Sequence, residues 1–214
     1  MKIHRYRSYR QYVRIQNKKN KRQLDRTWAT PEEMEAVAAY VREHLTGARF
    51  GLCHGAKHGW EVRALRERLG IDVIGTDISD STREFDHMIK WDFHETKDEW
   101  LGRTDFIYSN CLDHSYDPEL CLDRWMACLR PGGLCFIEWS AWHGEEYSDE
   151  DDPFGASLDE YRTLVSKTYE IRDELELPAN PANMYPLERR ILVVARREGS
   201  PGAAGGERSG PGTR

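Results

Sequence analysis

The residues with the clearest chemical potential lie in a glycine-containing turn, CHGAKHG, at positions 53–59. Gly55 and Gly59 can adopt backbone conformations that let main-chain N–H groups approach a ligand. Asp77 ends an apolar, β-branched segment 22 residues after Gly55, where a carboxylate can accept hydrogen bonds from both hydroxyls of a ribose. The combination predicts a nucleoside-binding site. The alternative is structural, with Asp77 capping the turn that follows it.

A second carboxylate, Asp92, closes the next apolar segment, HMIKWDF. At the end of a neighbouring strand it could accept a hydrogen bond from an adenine amino group, and otherwise it could cap a helix. Two histidines further along the chain, His114 and His143, are the candidate general bases. The alternative role for each is a hydrogen-bonding residue in the wall of the site. His54 and His58 are four residues apart on a turn rather than a helix, so no metal site is expected.

These residues need elements that position them, and the chain supplies alternating strand and helix signals. Thr30, Pro31 and Glu33 predict the start of a helix, and Gly47 predicts its end. Strands are predicted at 49–53, 71–79, 87–93, 105–110, 134–140, 169–177 and 189–197, with a turn at RPGG, 130–133. The alternation predicts a doubly wound, mostly parallel seven-stranded α/β sheet. The last two strands lack a helix between them, which favours an antiparallel C-terminal pair.

With these motifs in place, residues 49–140, and less sharply the chain to 197, resemble class I S-adenosylmethionine-dependent methyltransferases. The resemblance rests on CHGAKHG, VIGTDIS, WDFHE, LCFIEWS and especially the LRPGG turn before the fifth strand. It implies a Rossmann-like methyltransferase fold. The family's acid-x-Gly-x-Gly-x-Gly motif is altered here, because Cys53 stands at the acidic position and Lys57 at the middle glycine. The turn is therefore interpreted as a variant that binds the cofactor through backbone N–H groups.

The resemblance implies methyl transfer from S-adenosyl-L-methionine to a small-molecule or carbohydrate-type (glycan) acceptor. Oxygen is the expected methylated atom, because the Asn/Asp-Pro-Pro-aromatic motif of amino-methylating nucleic-acid enzymes is absent after the fourth strand. The alternatives are a non-catalytic cofactor-binding or scaffold protein and, less favoured without GxGxxG, a nicotinamide-dependent oxidoreductase. The expected cofactor-binding residues are Cys53, His54, Gly55, Lys57, Gly59, Asp77, Ile78, Asp92, Phe93, Asn110 and Cys111.

Composition divides the chain into three parts. Its 214 residues are 39% hydrophobic and 32% charged, as expected for one globular domain, here placed at 29–197. The 17 residues at 198–214 are Gly/Pro/Ser-rich and are predicted to be a disordered tail. Five cysteines without a CxxC pair indicate buried thiols in a reducing, cytoplasmic setting. Residues 145–152 carry six acids and are interpreted as a solvated loop or a mobile lid over the acceptor.

The segment 1–28 is a basic arm, with ten Lys/Arg against one acid in a chain of net charge −6. Tyr6, Tyr9 and Val13 have helical spacing, so a short amphipathic helix is predicted. One interpretation is that the arm folds over the acidic domain and closes the cofactor pocket. The other is that residues 1–22 contact an anionic membrane or polymer, placing the protein at the membrane periphery. A nucleic-acid partner is the least favoured.

Overall fold

The computed structural model describes residues 1–179 and 187–197, and its centre is a seven-stranded sheet. The strands are β2 (Phe50–His54), β3 (Asp72–Asp77), β4 (Met88–Lys90), β5 (Thr104–Ser109), β6 (Leu129–Ser140), β8 (Glu170–Leu177) and β9 (Arg189–Ala195), in the order β4-β3-β2-β5-β6-β9-β8. Pairing is parallel from β4 to β6, whereas β9 runs antiparallel to both β6 and β8. The predicted fold class is confirmed.

Five α-helices complete the described fold: α1 (Tyr9–Arg22), α2 (Pro31–His44), α3 (Trp60–Leu69), α4 (Pro118–Cys128) and α5 (Leu158–Ser166). The Thr30 side chain accepts a hydrogen bond from Glu33 N–H, and Glu33 closes the capping box, as the sequence predicts. Helix α3 starts directly after Gly59 and ends at Gly70 in the left-handed conformation. The glycine turn is thereby held between β2 and α3.

Two apolar layers lie on opposite faces of the sheet. One combines α4 and α5 with side chains such as Leu52, Ile107 and Trp125. The other combines α2 and α3 with side chains such as Cys53 and Tyr108. Alternation along β2 and β5 sends neighbouring residues to opposite layers. Consequently Cys53 and His54, adjacent in the chain, face different surroundings.

Two differences from the predicted strand boundaries affect the position of named motifs. Strand β4 ends at Lys90, so Asp92 lies in the turn beyond it. The predicted RPGG turn is instead incorporated into β6, which begins at Leu129. Leu129 pairs with Thr104, and the register then shifts before Phe106, so the extra residues are absorbed as an irregularity within the ladder.

The basic arm is packed onto the domain. A two-residue strand β1 (Lys2–Ile3) pairs with β7 (Phe154–Gly155). The arm does contain an amphipathic helix, α1, but the predicted stripe is wrong, because Tyr6 lies before the helix and Tyr9 is exposed. Tyr12, Ile15 and Gln16 of α1 are buried. In the described ranges no helix has the length and apolar character needed to cross a bilayer. The predicted tail lies outside the described residues, as does most of the Pro-rich link between β8 and β9.

Candidate functional site

The glycine turn has the backbone geometry that its sequence suggests. Gly55 and Gly59 have φ of 72° and 73°, in the left-handed region. A Cβ atom at Gly55 would overlap the Sγ atom of Cys111, so only glycine lets these two segments of the backbone approach each other. Lys57 also has a positive φ, 47°, which is uncommon for a residue with a side chain. The turn therefore retains a left-handed backbone at the position where the family motif has its middle glycine.

Several backbone N–H groups of the turn already have partners within the protein. Ala56 N–H donates to the Thr76 carbonyl at 3.0 Å, and Gly59 N–H donates to the Ala56 carbonyl at 2.6 Å. Lys57 N–H donates to Asp77 Oδ2 at 3.1 Å. These three N–H groups are therefore not free to bind a ligand. The prediction that the turn binds the cofactor through backbone N–H groups does not extend to them.

Asp77 lies at the centre of the site and is 4% exposed. Its Oδ1 atom accepts hydrogen bonds from Ser79 N–H and from Asn20 Nδ2, both at 2.7 Å. Burial raises the pKa of Asp77, although the hydrogen bonds from Ser79, Lys57 and Asn20 act in the opposite direction. The carboxylate therefore joins the glycine turn, the end of β3 and the arm.

Asp92 is held in a second polar cluster that includes His94. Its Oδ1 atom accepts from His94 N–H at 2.9 Å and faces His94 Nδ1 at 2.7 Å. Its Oδ2 atom accepts from the Tyr9 hydroxyl at 2.8 Å. Burial alone would raise the pKa of Asp92, but the hydrogen bonds and charge of His94 outweigh it and lower that pKa. His94 also stacks on Tyr116 at 3.8 Å between ring centroids.

The remaining sequence-predicted cofactor residues surround the turn. His54 stacks on Trp125, and its Nδ1 atom lies 2.8 Å from Thr76 Oγ1. Burial lowers the pKa of His54 to about 3, so its ring is neutral. Cys111 donates through Sγ to the His54 carbonyl at 3.3 Å. The others are the buried residues Cys53 and Phe93 and the half-buried residues Ile78 and Asn110.

On the acceptor side, His143 and Asp113 are brought together. His143 Nδ1 accepts a hydrogen bond from Ser140 N–H at 3.4 Å, and its Nε2 atom lies 3.9 Å from Asp113 Oδ2. Burial lowers the pKa of His143, which keeps the ring neutral near pH 7. Asp113 Oδ1 is buried and has no hydrogen-bond partner among the described residues. A buried carboxylate oxygen without a partner is a site for an incoming donor.

His114 lies in a separate, charged cluster. Its Nε2 atom is 2.8 Å from Lys19 Nζ and 3.2 Å from Asp152 Oδ1, and Lys19 also pairs with Asp152. Burial alone would raise the pKa of Asp152, but His114 and Lys19 lower it far below its usual range. Ligand atoms of Asp113, His114 and Asp152 come within 4.8 Å of one another, as a metal site would require. In this structure the Lys19 ammonium supplies the positive charge at that cluster.

A fully buried ionic network lies at the same edge of the sheet. Arg189 pairs with both Glu33 and Glu138, and all three side chains are 0% exposed. Trp28 Nε1 donates to both Glu138 oxygens at 3.0 Å, and the Tyr108 hydroxyl donates to Glu33 at 2.5 Å. Burial and the nearby Glu33 raise the pKa of Glu138, whereas Arg189 lowers it. The network ties α2, β5, β6 and β9 together.

The arm and the acidic segment 145–152 form a continuous cover over this region. Arg22 pairs with Asp151, and Gln16 donates to the Asp151 carbonyl. Lys57 Nζ donates to the Gln23 and Arg26 carbonyls at 2.8 and 2.6 Å. Several sequence-predicted residues are therefore in contact with the arm, namely Lys57, Asp77, Asp92 and His114. The interpretation in which the arm folds over the acidic domain agrees with these contacts.

Several solved methyltransferase structures superpose on this fold. Burkholderia thailandensis 1,6-didemethyltoxoflavin-N1-methyltransferase, solved with S-adenosylhomocysteine, superposes with a TM-score of 0.69 at 16% identity, covering 90% of this chain and 92% of that one. Geranyl diphosphate C-methyltransferase from Streptomyces coelicolor A3(2) superposes at 0.58, with 14% identity and coverages of 85% and 84%. This chain has the class I methyltransferase fold. Haemonchus contortus phosphoethanolamine N-methyltransferase 2 superposes at 0.55, with 14% identity over 83% of this chain and 60% of that one. No protein-family model matches the sequence, and no curated protein matches it.

The residues present fit the adenosine-containing cofactor that these neighbours bind. Asp77 offers a carboxylate directly beside the left-handed glycine turn, to which it is hydrogen-bonded through Lys57 N–H. His54 Nε2 and Glu61 Oε2 near the turn are buried without hydrogen-bond partners among the described residues.

Sequence reasoning did not select several residues that the structure places here: Lys19, Asn20, Glu33, Glu61, His94, Glu138 and Arg189. Most approach from distant parts of the chain. Glu61 could have been noticed in the sequence, because it is an acidic residue two positions after the turn. The acid of the family motif is missing from that turn, where Cys53 takes its place.

Proposed function

We propose that this protein transfers a methyl group from S-adenosylmethionine to a hydroxyl of a small-molecule or carbohydrate-type acceptor. One observation carries the proposal within the shared fold: Lys57 N–H of the glycine turn donates directly to Asp77. This hydrogen bond joins the turn to the strand-end carboxylate at the carboxyl edge of the parallel strands, where doubly wound proteins bind nucleotides.

The residues that would hold the cofactor's adenosine are those at the ends of β3 and β4. Asp77 would accept from the ribose hydroxyls, and Ile78 and Phe93 would contact the base. Asp92, already bonded to His94 and Tyr9, would contribute the polar edge of the base pocket. Asn20 and Tyr9 occupy acceptor positions on these carboxylates, so ligand entry requires the arm to shift or to exchange hydrogen bonds.

When bound, the cofactor supplies a methyl group on a sulfonium for in-line transfer, so the protein must hold the acceptor oxygen and receive its proton. The pair of Asp113 and His143 supports a hydroxyl acceptor. With Nδ1 accepting from Ser140 N–H, the neutral ring carries its proton on Nε2, on the side of Asp113. His143 would orient the acceptor oxygen, and the free Asp113 Oδ1 would take the hydroxyl proton as the new C–O bond forms.

This assignment moves the base from His143, the sequence-based candidate, to its carboxylate neighbour. His114 is disfavoured as the base in this conformation, because its Nε2 atom faces the Lys19 ammonium. A carbohydrate-type acceptor is consistent with the polar side chains that line this region, and Trp142 and Tyr147, both exposed, offer surfaces on which a sugar could stack.

The arm also supports a peripheral contact with an anionic surface. Its buried face covers the site, while the opposite face is exposed and basic. We define the basic stripe as four exposed basic residues of the arm: Arg7, just before α1, and Arg10, Arg14 and Lys18 on α1. Such a stripe can bind acidic lipids or polymers by salt-sensitive attraction.

Calorimetry with S-adenosylmethionine and with NADH tests the cofactor. Binding of the former in the micromolar range, about −8 kcal/mol, with no heat from NADH would support the proposal. Binding of NADH alone would instead favour an oxidoreductase.

A product screen tests the reaction. The protein is incubated with S-adenosylmethionine and hydroxylated small molecules, and mass spectrometry follows S-adenosylhomocysteine and products heavier by CH2. Asp113→Asn should lower kcat by about 10²–10⁴-fold while keeping cofactor affinity. Cofactor binding without any product across extracts would favour the non-catalytic alternative.

A further inference from the structure

Glu61 is a carboxylate in the first turn of helix α3, and it is unusual because it is buried. It lies two residues after Gly59, at the start of α3, and is 6% exposed. The Asn110 side chain, at the end of β5, lies beside its carboxyl group. Its Oε2 atom has no hydrogen-bond partner in the described parts of the chain. Gly59 and Asn110, both predicted from the sequence to bind the cofactor, thus lie beside a carboxyl group that has one unsatisfied oxygen.

The basic groups near this carboxylate are engaged elsewhere. Lys57 Nζ donates to two arm carbonyls, those of Gln23 and Arg26. Arg189 pairs with Glu33 and Glu138. Removing a carboxylate from water is costly unless a cation or several donors compensate it. Burial therefore raises the pKa of Glu61 to about 7, and the neighbouring Glu33 adds to that effect.

A ligand that satisfies Glu61 must bring a hydrogen-bond donor, and a cationic donor also compensates the carboxylate charge. S-adenosylmethionine carries two cationic groups, a sulfonium and a primary ammonium. The sulfonium has no N–H or O–H to donate, whereas the ammonium has three donors. The ammonium is therefore the group that can bond to Oε2 and neutralise the charge.

We propose that Glu61 binds the ammonium of the cofactor's amino-acid end. This proposal rests on the proposed cofactor use. Glu61 lies near Cys53, because its charge adds to the effect of burial in raising the pKa of the Cys53 thiol. Asn110 beside the carboxyl would orient it.

The direct test is calorimetry on the full-length protein with two adenosine ligands. S-adenosylhomocysteine has the amino-acid end, whereas 5′-methylthioadenosine shares the adenosine and the thioether but lacks that end. Glu61→Gln should weaken S-adenosylhomocysteine by ten- to a hundredfold, as expected for the loss of a charge-assisted hydrogen bond. Binding of 5′-methylthioadenosine should change less than twofold. Glu67→Gln, at an exposed position of the same helix, is the matched control and should leave both affinities unchanged.

Two outcomes would overturn the proposal while leaving cofactor use intact. One is unchanged S-adenosylhomocysteine affinity in a folded Glu61→Gln protein. The other is an equal loss for both ligands, which would mean that the carboxylate serves only the N-terminus of α3. If the wild-type protein binds neither ligand, the proposed function itself fails.

Proton release provides a second measurement that needs no variant. Binding of an ammonium should ionise Glu61, so the wild-type protein should release a fraction of a proton near pH 7. Binding enthalpies in buffers of different ionisation enthalpy measure this fraction for each ligand. The other titratable groups that face Glu61 are Glu33 of α2, Lys57 of the turn, Cys53 of β2 and Tyr108 of β5. Equal proton release with both ligands would contradict the proposal, because only S-adenosylhomocysteine carries the ammonium.

Discussion

Asp77→Asn perturbs the residue on which the cofactor site depends most, and the structure predicts two separate losses. The carboxylate accepts from Ser79 N–H and Asn20 at Oδ1 and from Lys57 N–H at Oδ2. An asparagine that keeps the two Oδ1 bonds places its NH2 group against Lys57 N–H. That backbone donor then has no acceptor, which costs about 1–3 kcal/mol of the free energy of unfolding.

The second loss is in ligand affinity. Hydrogen bonds from ribose hydroxyls to a carboxylate are charge-assisted, and losing them costs roughly 1.5–3 kcal/mol, or about ten- to a hundredfold in Kd. The variant should still fold, because a domain of this size is typically stable by about 5–15 kcal/mol. A sequence-based view of Asp77 as a crevice residue outside the core predicts only the second loss. The structure adds the first, because the side chain is buried and links three segments.

Urea unfolding and calorimetry with S-adenosylmethionine measure the two losses independently. Asp72→Asn is the matched control, because Asp72 begins the same strand, is exposed and pairs with Arg66 at the surface. It should change both quantities little, since surface ion pairs contribute 0–1 kcal/mol. If Asp77→Asn binds the cofactor as tightly as the wild type, the ribose assignment is refuted. If its stability is also unchanged, the hydrogen bonds to the turn are refuted as well.

The remaining predictions concern the core, a titration, the arm and the tail. Arg189→Met should lower the free energy of unfolding by about 3–5 kcal/mol in urea, because it leaves two buried carboxylates unpaired, while Arg190→Met on the same strand should cost under about 1 kcal/mol. Glu61→Gln should stabilise the apo protein at pH 8 but not at pH 5. The pKa of this carboxyl is about 7 in the folded protein and 4.5 in the unfolded chain, so the folded protein binds the proton more tightly. The free energy of unfolding therefore falls as pH rises from 4.5 through 7, by an amount on the order of 3 kcal/mol. Equal melting shifts of the variant at both pH values would contradict this prediction. Reversing the charges of the basic stripe should abolish salt-sensitive binding to acidic vesicles in sedimentation assays and spare cofactor affinity, and vesicle binding that persists would exclude the stripe. Truncation after Arg197 should leave the melting temperature and cofactor affinity unchanged, and a large loss in either would mean that the tail packs against the domain.

Much of the architecture could be predicted because it depends on local signals. The capping box of Thr30 and Glu33, the left-handed stop at Gly70 and the β-branched strand that ends at Asp77 are all properties of short segments. Periodicity and glycine positions determine such elements with little help from the rest of the chain. The RPGG segment was less predictable, because its incorporation into β6 depends on pairing with a partner strand.

For the site, too, some features follow from local sequence and others depend on tertiary packing. The sequence by itself determined the glycine turn and the strand that ends at Asp77, since both follow from local conformation. The order of strands that brings the two together was known only from the tertiary structure. Only the tertiary structure decided the partners of those residues. Asn20 reaches Asp77 across 57 positions, and Arg189 reaches Glu33 across 156. Long-range pairs of this kind leave no periodic trace in the sequence, because each depends on where whole helices pack and on which buried charges must be compensated there.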